Sequence, residues 1–183
     1  MIDFLLNAEQ FLTVFIQNYG TWIYLLIFLI IFAETAFVFM FFLPGDSLLI
    51  TVGALCATIN FLHFEHMVML LCLAATLGYF CNYYTGRFFG ERIYNYKSRF
   101  LKPEHLDRTH QFFEKYGPIT ILIARFIPFV RSVAPLAAGS SGMGQGLFAL
   151  YNVVGACLWI VSLVSIGYFS AHTVLDISQT ITP

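Results

Sequence analysis

The stretch Pro118–Ala138, PITILIARFIPFVRSVAPLAA, decides how this chain folds. It is almost wholly apolar, and its length matches the ~20 residues that cross a bilayer core as a helix. Yet it holds Arg125 and Arg131, with Pro128 between them and Pro135 beyond. Proline removes a backbone donor and clashes with the preceding turn, so one unbroken helix is not expected. Broken backbone at membrane depth is tolerated only where protein or a water-filled cavity covers it. Residues 118–145 therefore read as a re-entrant hairpin that turns around Pro128–Pro135, with Gly139 as a further structural residue of its tip.

The rest of the chain fits the same solvent. Of 183 residues 59% are hydrophobic and 10% charged, with a mean hydropathy of +0.79. Soluble domains carry about 25% charged residues. A bilayer accommodates so much apolar surface, whereas water does not. Met67–Phe89 and Leu147–Ala171 are uninterrupted and long enough to span. Trp22–Leu43 contains Glu34 and runs into Pro44-Gly45-Asp46, and Ser47–Leu62 is short for a span. Residues 22–62 thus read as a first re-entrant hairpin with its tip at Pro44 and Gly45. The expected fold is an all-α polytopic membrane protein: two re-entrant helical hairpins, each followed by a transmembrane helix at 67–89 and 147–171. All of it forms one membrane domain over 1–183.

Two segments lie outside these spans. Residues 1–18 place Phe4, Leu5, Ala8, Phe11, Leu12, Phe15 and Ile16 on one helical stripe, with Asp3, Asn7, Gln10, Thr13 and Gln17 opposite. They read as an amphipathic surface helix rather than a cleaved leader. Residues 91–116 form a polar connector. Seven of the nine Lys and Arg fall between Arg87 and Lys115, which places that stretch in the cytoplasm by the positive-inside rule.

A short internal similarity links the halves. FIQNYG at 15–20 resembles FFEKYG at 112–117, and the residue fourteen positions beyond each glycine is charged: Glu34 in one half, Arg131 in the other. Repeats built around broken helices, commonly inverted, are a feature of transporters, whose sites sit at the repeat interface. An internal inverted repeat is expected here.

Glu34, Asp46, Arg125 and Arg131 are the charges within or beside hydrocarbon. Each costs roughly 2.5–3.5 kcal/mol at mid-bilayer on insertion scales. Together they cost on the order of 10 kcal/mol, comparable with the stability of a whole domain. They must be paired or hydrated, and two acids in one half can neutralise two bases in the other. Arg125 and Arg131 would point about 120° apart on a continuous helix. The break at Pro128 can turn both toward one point, where a pair of guanidiniums suits a phosphate. Arg125 and Arg131 are therefore the candidate phosphate-binding residues, and Glu34 and Asp46 the candidate ion-pair and proton-coupling residues. The bland alternative is a set of ionic staples pinning the hairpins together.

Other features point nowhere specific. Cys56, Cys72, Cys81 and Cys157 lie in apolar runs without CxxC spacing and read as small buried hydrophobes. His63-Phe64-Glu65-His66 reads as an interfacial polar turn rather than a metal site. Gly139-Ser140-Ser141-Gly142 has no base nearby to make a nucleophile. Neither an enzyme nor a cofactor is implied. A net charge of −1 suggests no nucleic-acid partner. A homo-oligomer is compatible with the sequence.

Taken in order, FLPGDS at 42–47, GRFFG at 86–90, Tyr116-Gly117, RFIPFVR at 125–131, Ala138-Gly139 and Met143 resemble the DedA family, whose eukaryotic relatives share a SNARE-associated or VTT domain. The resemblance covers roughly Trp22–Ser170. It implies a bacterial inner-membrane protein with opposed re-entrant hairpins. It further implies lipid translocation tied to proton motive force, with undecaprenyl phosphate recycled for envelope synthesis or phosphatidylethanolamine moved. Essential acids of the family match Glu34 and Asp46, and essential arginines match Arg125 and Arg131. There are two departures: many members carry an acid after Gly78, where this chain has Tyr79, and longer members continue into another apolar segment beyond the position of Pro183. The function expected is a flippase for a phosphate-headed lipid, with undecaprenyl phosphate first. The alternatives are a phospholipid scramblase and a proton-coupled small-cation antiporter.

Overall fold

A computed structural model describes residues 22–40, 45–59, 62–95 and 117–181. The expected surface helix at 1–18, the tip residue Pro44 and most of the 91–116 connector lie outside those residues. The described chain is entirely helical. Helix α1 is Trp22–Ala36, followed by a 3-10 turn at Val38–Met40. Helix α2 is Gly45–Thr58, α3 Phe64–Asn95, α4 Ile119–Ala124, α5 Pro128–Ser140 and α6 Gln145–Ile181. Two of them, through Phe64–Phe88 and Gln145–Thr173, are long and apolar enough to cross a membrane. Helices α1 and α2 are apolar but shorter.

The short helices exchange partners between the halves. Helix α2 packs on α6, and α5 packs on α3. Each crossing is made close by a glycine on either side. A Cβ on Gly53 would run into the Val164 carbonyl, and one on Gly167 into that of Ile50. A Cβ on Gly86 would strike the Leu136 carbonyl, and one on Gly139 that of Tyr83. Small residues let apolar helices approach at backbone distance, where dispersion replaces the hydrophobic drive that lipid cannot supply.

Packing is divided into two cores along the long helices. One gathers Ile27, Ile31, Leu49, Val52, Leu71, Ile160 and Val164. The other gathers Tyr79, Tyr83, Ile121, Ala134, Ala138 and Phe148. On α3 the first core ends at Ala75 and the second begins at Tyr79. The polar residues described below fill the level between them.

The local sequence explains where the second half breaks. Pro128 opens α5 at its first turn, and Ile127 before it is extended, at φ −115° and ψ 109°. A residue preceding proline is pushed out of the helical region, so the break falls at 125–127. This corrects the expected turn across Pro128–Pro135. Pro135 lies inside α5 and is buried there, and Gly139 sits in the last turn of α5 against α3, not at a tip. Pro135 denies the Arg131 carbonyl its usual helical donor. The helix continues through that gap packed closely against α3, and the adjacent Ser132 carbonyl accepts from Asn82 Nδ2 at 2.8 Å. Helix α5 ends at Gly142, whose φ of +75° suits glycine. There Met143 N–H donates to the Ala138 carbonyl and Gly142 N–H to that of Gly139, closing a Schellman motif.

A second correction concerns the cysteines. Cys56 and Cys72 are half-buried, but Cys81 and Cys157 are exposed. A thiol behaves as a small apolar group, so it suits an outward face in lipid as well as it suits a core.

Candidate functional site

Glu34 stands two residues before the end of α1, and Asp46 is the second residue of α2. Arg125 follows α4 directly, and Arg131 is the fourth residue of α5. By element, then, the acids of the first half and the bases of the second occupy like positions: the end of one short helix and the start of the next. The equal spacing of Glu34 and Arg131 from their glycines does not reflect this, because α4 stops at Ala124, well short of the length of α1.

Arg131 takes both acids. Its Nη2 pairs with Glu34 Oε1, and its Nη1 lies 2.8 Å from Asp46 Oδ1. Glu34 is 2% exposed and Arg131 6%, whereas the Asp46 side chain is 44% exposed. The triad is thus sealed on one side and open at Asp46. Gly45 is part of its construction, since a Cβ there would overlap the Glu34 carboxylate. Trp159 Nε1 also donates to Asp46 Oδ1, at 3.0 Å.

Arg125 is placed differently. It is 1% exposed, with its guanidinium carbon 3.8 Å from the centroid of the Tyr79 ring. Its Nη2 donates to Asn152 Oδ1 at 2.6 Å and to the Ala75 carbonyl at 3.3 Å. Among the described residues no carboxylate pairs with it, and its Nε and Nη1 have no acceptor. The arginines flank one indole: their guanidinium carbons are 6.0 Å (Arg125) and 5.2 Å (Arg131) from the Trp159 ring centroid. The four charges sum to zero, but unevenly. Two carboxylates share Arg131, and Arg125 keeps an uncompensated positive charge.

Sequence reasoning singled out the four charges and left the residues around them undecided. Tyr79 and Trp159 are both buried and face the arginines, while Trp22 is exposed. Asn82 and Asn152 were missed. Both are buried, and each ties helices together. Asn82 Nδ2 reaches the Ser132 carbonyl, and Asn152 Nδ2 the Thr76 carbonyl at 3.1 Å. The available signal was a lone amide inside an apolar span, where polar groups are rare and costly. Further buried polar atoms without a partner among the described residues are Glu34 Oε2, Tyr79 Oη, Asn82 Oδ1 and Ser132 Oγ. Together with Arg125 Nε and Nη1 they concentrate the buried polar atoms around the four charges. Thr76 is the midpoint of the apolar stretch of α3, and Trp159 that of α6. The site is therefore at half the height of the long helices.

Other sequence candidates lie elsewhere. His63, Glu65 and His66 line a cleft of about 520 Å³ with Ser165, Tyr168 and Phe169 near the start of α3. Among the described residues no three metal-ligating side chains gather anywhere.

Residues 43–169 match the VTT domain. The chain is 46% identical over 171 residues to Protein DedA of Escherichia coli K12, covering 92% of this chain and 78% of that protein. It is 35% identical over 168 residues to the inner membrane protein YqjA of the same strain, covering 91% and 76%. It is 39% identical over 141 residues to an uncharacterized membrane protein of Mycobacterium leprae, covering 76% and 63%. No solved structure matches the chain. The chain belongs to the DedA family of VTT-domain proteins and is an inner-membrane protein.

Proposed function

We propose that this protein moves a phosphate-headed lipid across the inner membrane, with undecaprenyl phosphate as the first candidate. The observation that carries the reading is Arg125, a buried guanidinium at half height with no carboxylate partner among the described residues and with donors left over. A lipid phosphate supplies both the missing charge and the missing acceptors. Only the head group has to enter the protein, because the polyprenyl tail stays in hydrocarbon. The helix pairs α1–α2 and α4–α5 act as opposed re-entrant hairpins related by an inverted repeat, and their exchange of partners brings acids and bases to one level. The triad supplies the coupling. Protonation of Glu34 or Asp46 loosens Arg131, which then joins Arg125 on the phosphate, and deprotonation on release restores the ion pairs. A small-cation antiporter is the weaker reading, because both acids are already engaged by Arg131 and that mechanism has no use for Arg125.

The test is inward movement of undecaprenyl phosphate in vesicles holding purified protein, with phosphatidylethanolamine as the comparison lipid. Wild type is expected to move the phosphate lipid, and Arg125→Ala and the double variant Arg131→Ala/Glu34→Gln, which leaves no buried carboxylate stranded, to lose at least 10-fold of that flux while remaining folded. Equal flux in all three sinks the reading, and flux of phosphatidylethanolamine alone replaces it with a phospholipid scramblase.

A further inference from the structure

Arg125 owes its place to one face of α6. Asn152, Gly155 and Trp159 follow at helical spacing, and all three are turned inward. Asn152 is fully buried, accepts from Arg125 Nη2 at 2.6 Å and donates to the Thr76 carbonyl at 3.1 Å. Gly155 lies beside the aliphatic stem: a Cβ there would sit 3.2 Å from Arg125 Cδ and 3.4 Å from Nε. Trp159 closes the far side. Arg125 has five N–H bonds. The two on Nη2 are fixed by Asn152 and the Ala75 carbonyl, and the three on Nε and Nη1 are not.

An asparagine and an aspartate fill nearly the same volume, but they do different things to an arginine. Aspartate at 152 would hold Nη2 as well and would neutralise the charge. The amide fixes the fork and leaves the charge in place. We propose that Asn152 is the positioning residue that keeps Arg125 an uncompensated cation, so that a phosphate-type anion rather than a protein carboxylate completes the site. Gly155 supplies the room in which the guanidinium stem lies. This rests on the reading of the site as a phosphate site, and it adds a residue that sets the preference for anions without being charged.

The first measurement uses the whole protein in detergent and inorganic phosphate as probe, following the rise in Tm with phosphate against the same ionic strength of chloride. Wild type is expected to be stabilised by phosphate. Asn152→Asp trades the Nδ2 bond to the Thr76 carbonyl for an ion pair with Arg125, so it is expected to melt near wild type without phosphate and to need at least 10-fold more phosphate for the same rise. A merely structural role predicts the reverse pattern, with Tm lowered and phosphate response kept. If Asn152→Asp responds to phosphate as wild type does, or if wild type does not respond at all, the proposal is overturned. Should Asn152→Asp fail to fold, Gly155→Ala decides. Its methyl group crowds Cδ and Nε without adding charge, so a several-fold weaker phosphate response is expected and an unchanged response overturns the proposal. Vesicle flux is then measured on the same variants. Phosphate binding that depends on Asn152, together with no lipid flux from wild type, leaves the Asn152 assignment standing and removes the translocase reading alone.

Discussion

Trp159 Nε1 and Arg131 Nη1 converge on a single oxygen, Asp46 Oδ1, at 3.0 and 2.8 Å. The indole belongs to α6, the guanidinium to α5 and the carboxylate to α2, so one atom joins three helices at half height. Because the Asp46 side chain is 44% exposed, its attraction to Arg131 is weakened by screening, and the neutral indole donor makes up part of its hold. Trp159→Phe keeps an aromatic ring between the arginines and removes the N–H, along with part of the indole's volume. A typical net hydrogen bond contributes about 1 kcal/mol, so the variant should lose at least that much stability and keep its fold. Thermal unfolding in detergent checks this. A loss as large as that of Trp159→Ala would show that the indole N–H, not an aromatic ring between the arginines, is what matters.

The Glu34–Arg131 pair makes a stronger prediction because it is sealed. Removing one partner of a buried pair strands the other charge and costs roughly 3–5 kcal/mol. Arg131→Met is therefore expected to destabilise strongly, with the 2% exposed Glu34 carboxylate left without its cation and beside the like charge of Asp46. Adding Glu34→Gln removes the stranded charge, so the double variant should recover most of the loss. If the double variant is as damaged as the sum of the two single ones, the residues are not energetically coupled and the pair is incidental.

The four charges were legible in the sequence because charge inside apolar runs is rare and must be accounted for. Their pairing was not. Distances across two broken helices depend on where each break falls, and here Ile127, forced out of the helix by Pro128, sets it rather than the count from a glycine. Both arginines were expected to meet at one point. Both flank the Trp159 indole, but the acids take Arg131 alone, and the Tyr79 ring lies under Arg125. Asn152 drew no reading from the sequence, and only the side chain it faces gives it meaning. The long helices were plain from their length. The exchange of partners between halves was not, because Gly53, Gly86, Gly139 and Gly167 show which surfaces meet only once the partners are known.

Those glycines can be tested against a glycine that has no such duty. Gly139 in α5 faces the Tyr83 carbonyl, whereas Gly144 has nothing within 4 Å of its would-be Cβ and no left-handed φ. Gly139→Ala should push α5 off α3 and cost on the order of 1–3 kcal/mol, as overpacking does. Gly144→Ala should be neutral within about 0.5 kcal/mol, as exposed substitutions usually are. Monodispersity and Tm after purification compare them directly, and equal behaviour would show that the α3–α5 crossing is looser than described.

Tyr79 separates the two ways an aromatic residue can serve an arginine. Its ring lies 3.8 Å under the Arg125 guanidinium, while its hydroxyl is buried without a hydrogen-bond partner among the described residues. The ring face attracts the cation, by about 2 kcal/mol where water is excluded. The unmet hydroxyl works the other way, since an unsatisfied buried polar group costs roughly 1–3 kcal/mol. Tyr79→Phe keeps the attraction and deletes the penalty, so it should raise stability by about 1 kcal/mol. Tyr79→Leu deletes the penalty but loses the attraction too, so it should lower stability by about 1 kcal/mol. The two variants are thus expected to fall on opposite sides of wild type in thermal unfolding without added anion. If Phe is as harmful as Leu, the hydroxyl is engaged in the resting protein, most simply by a water shared with Arg125, and the open donors on that guanidinium are already filled before any lipid arrives.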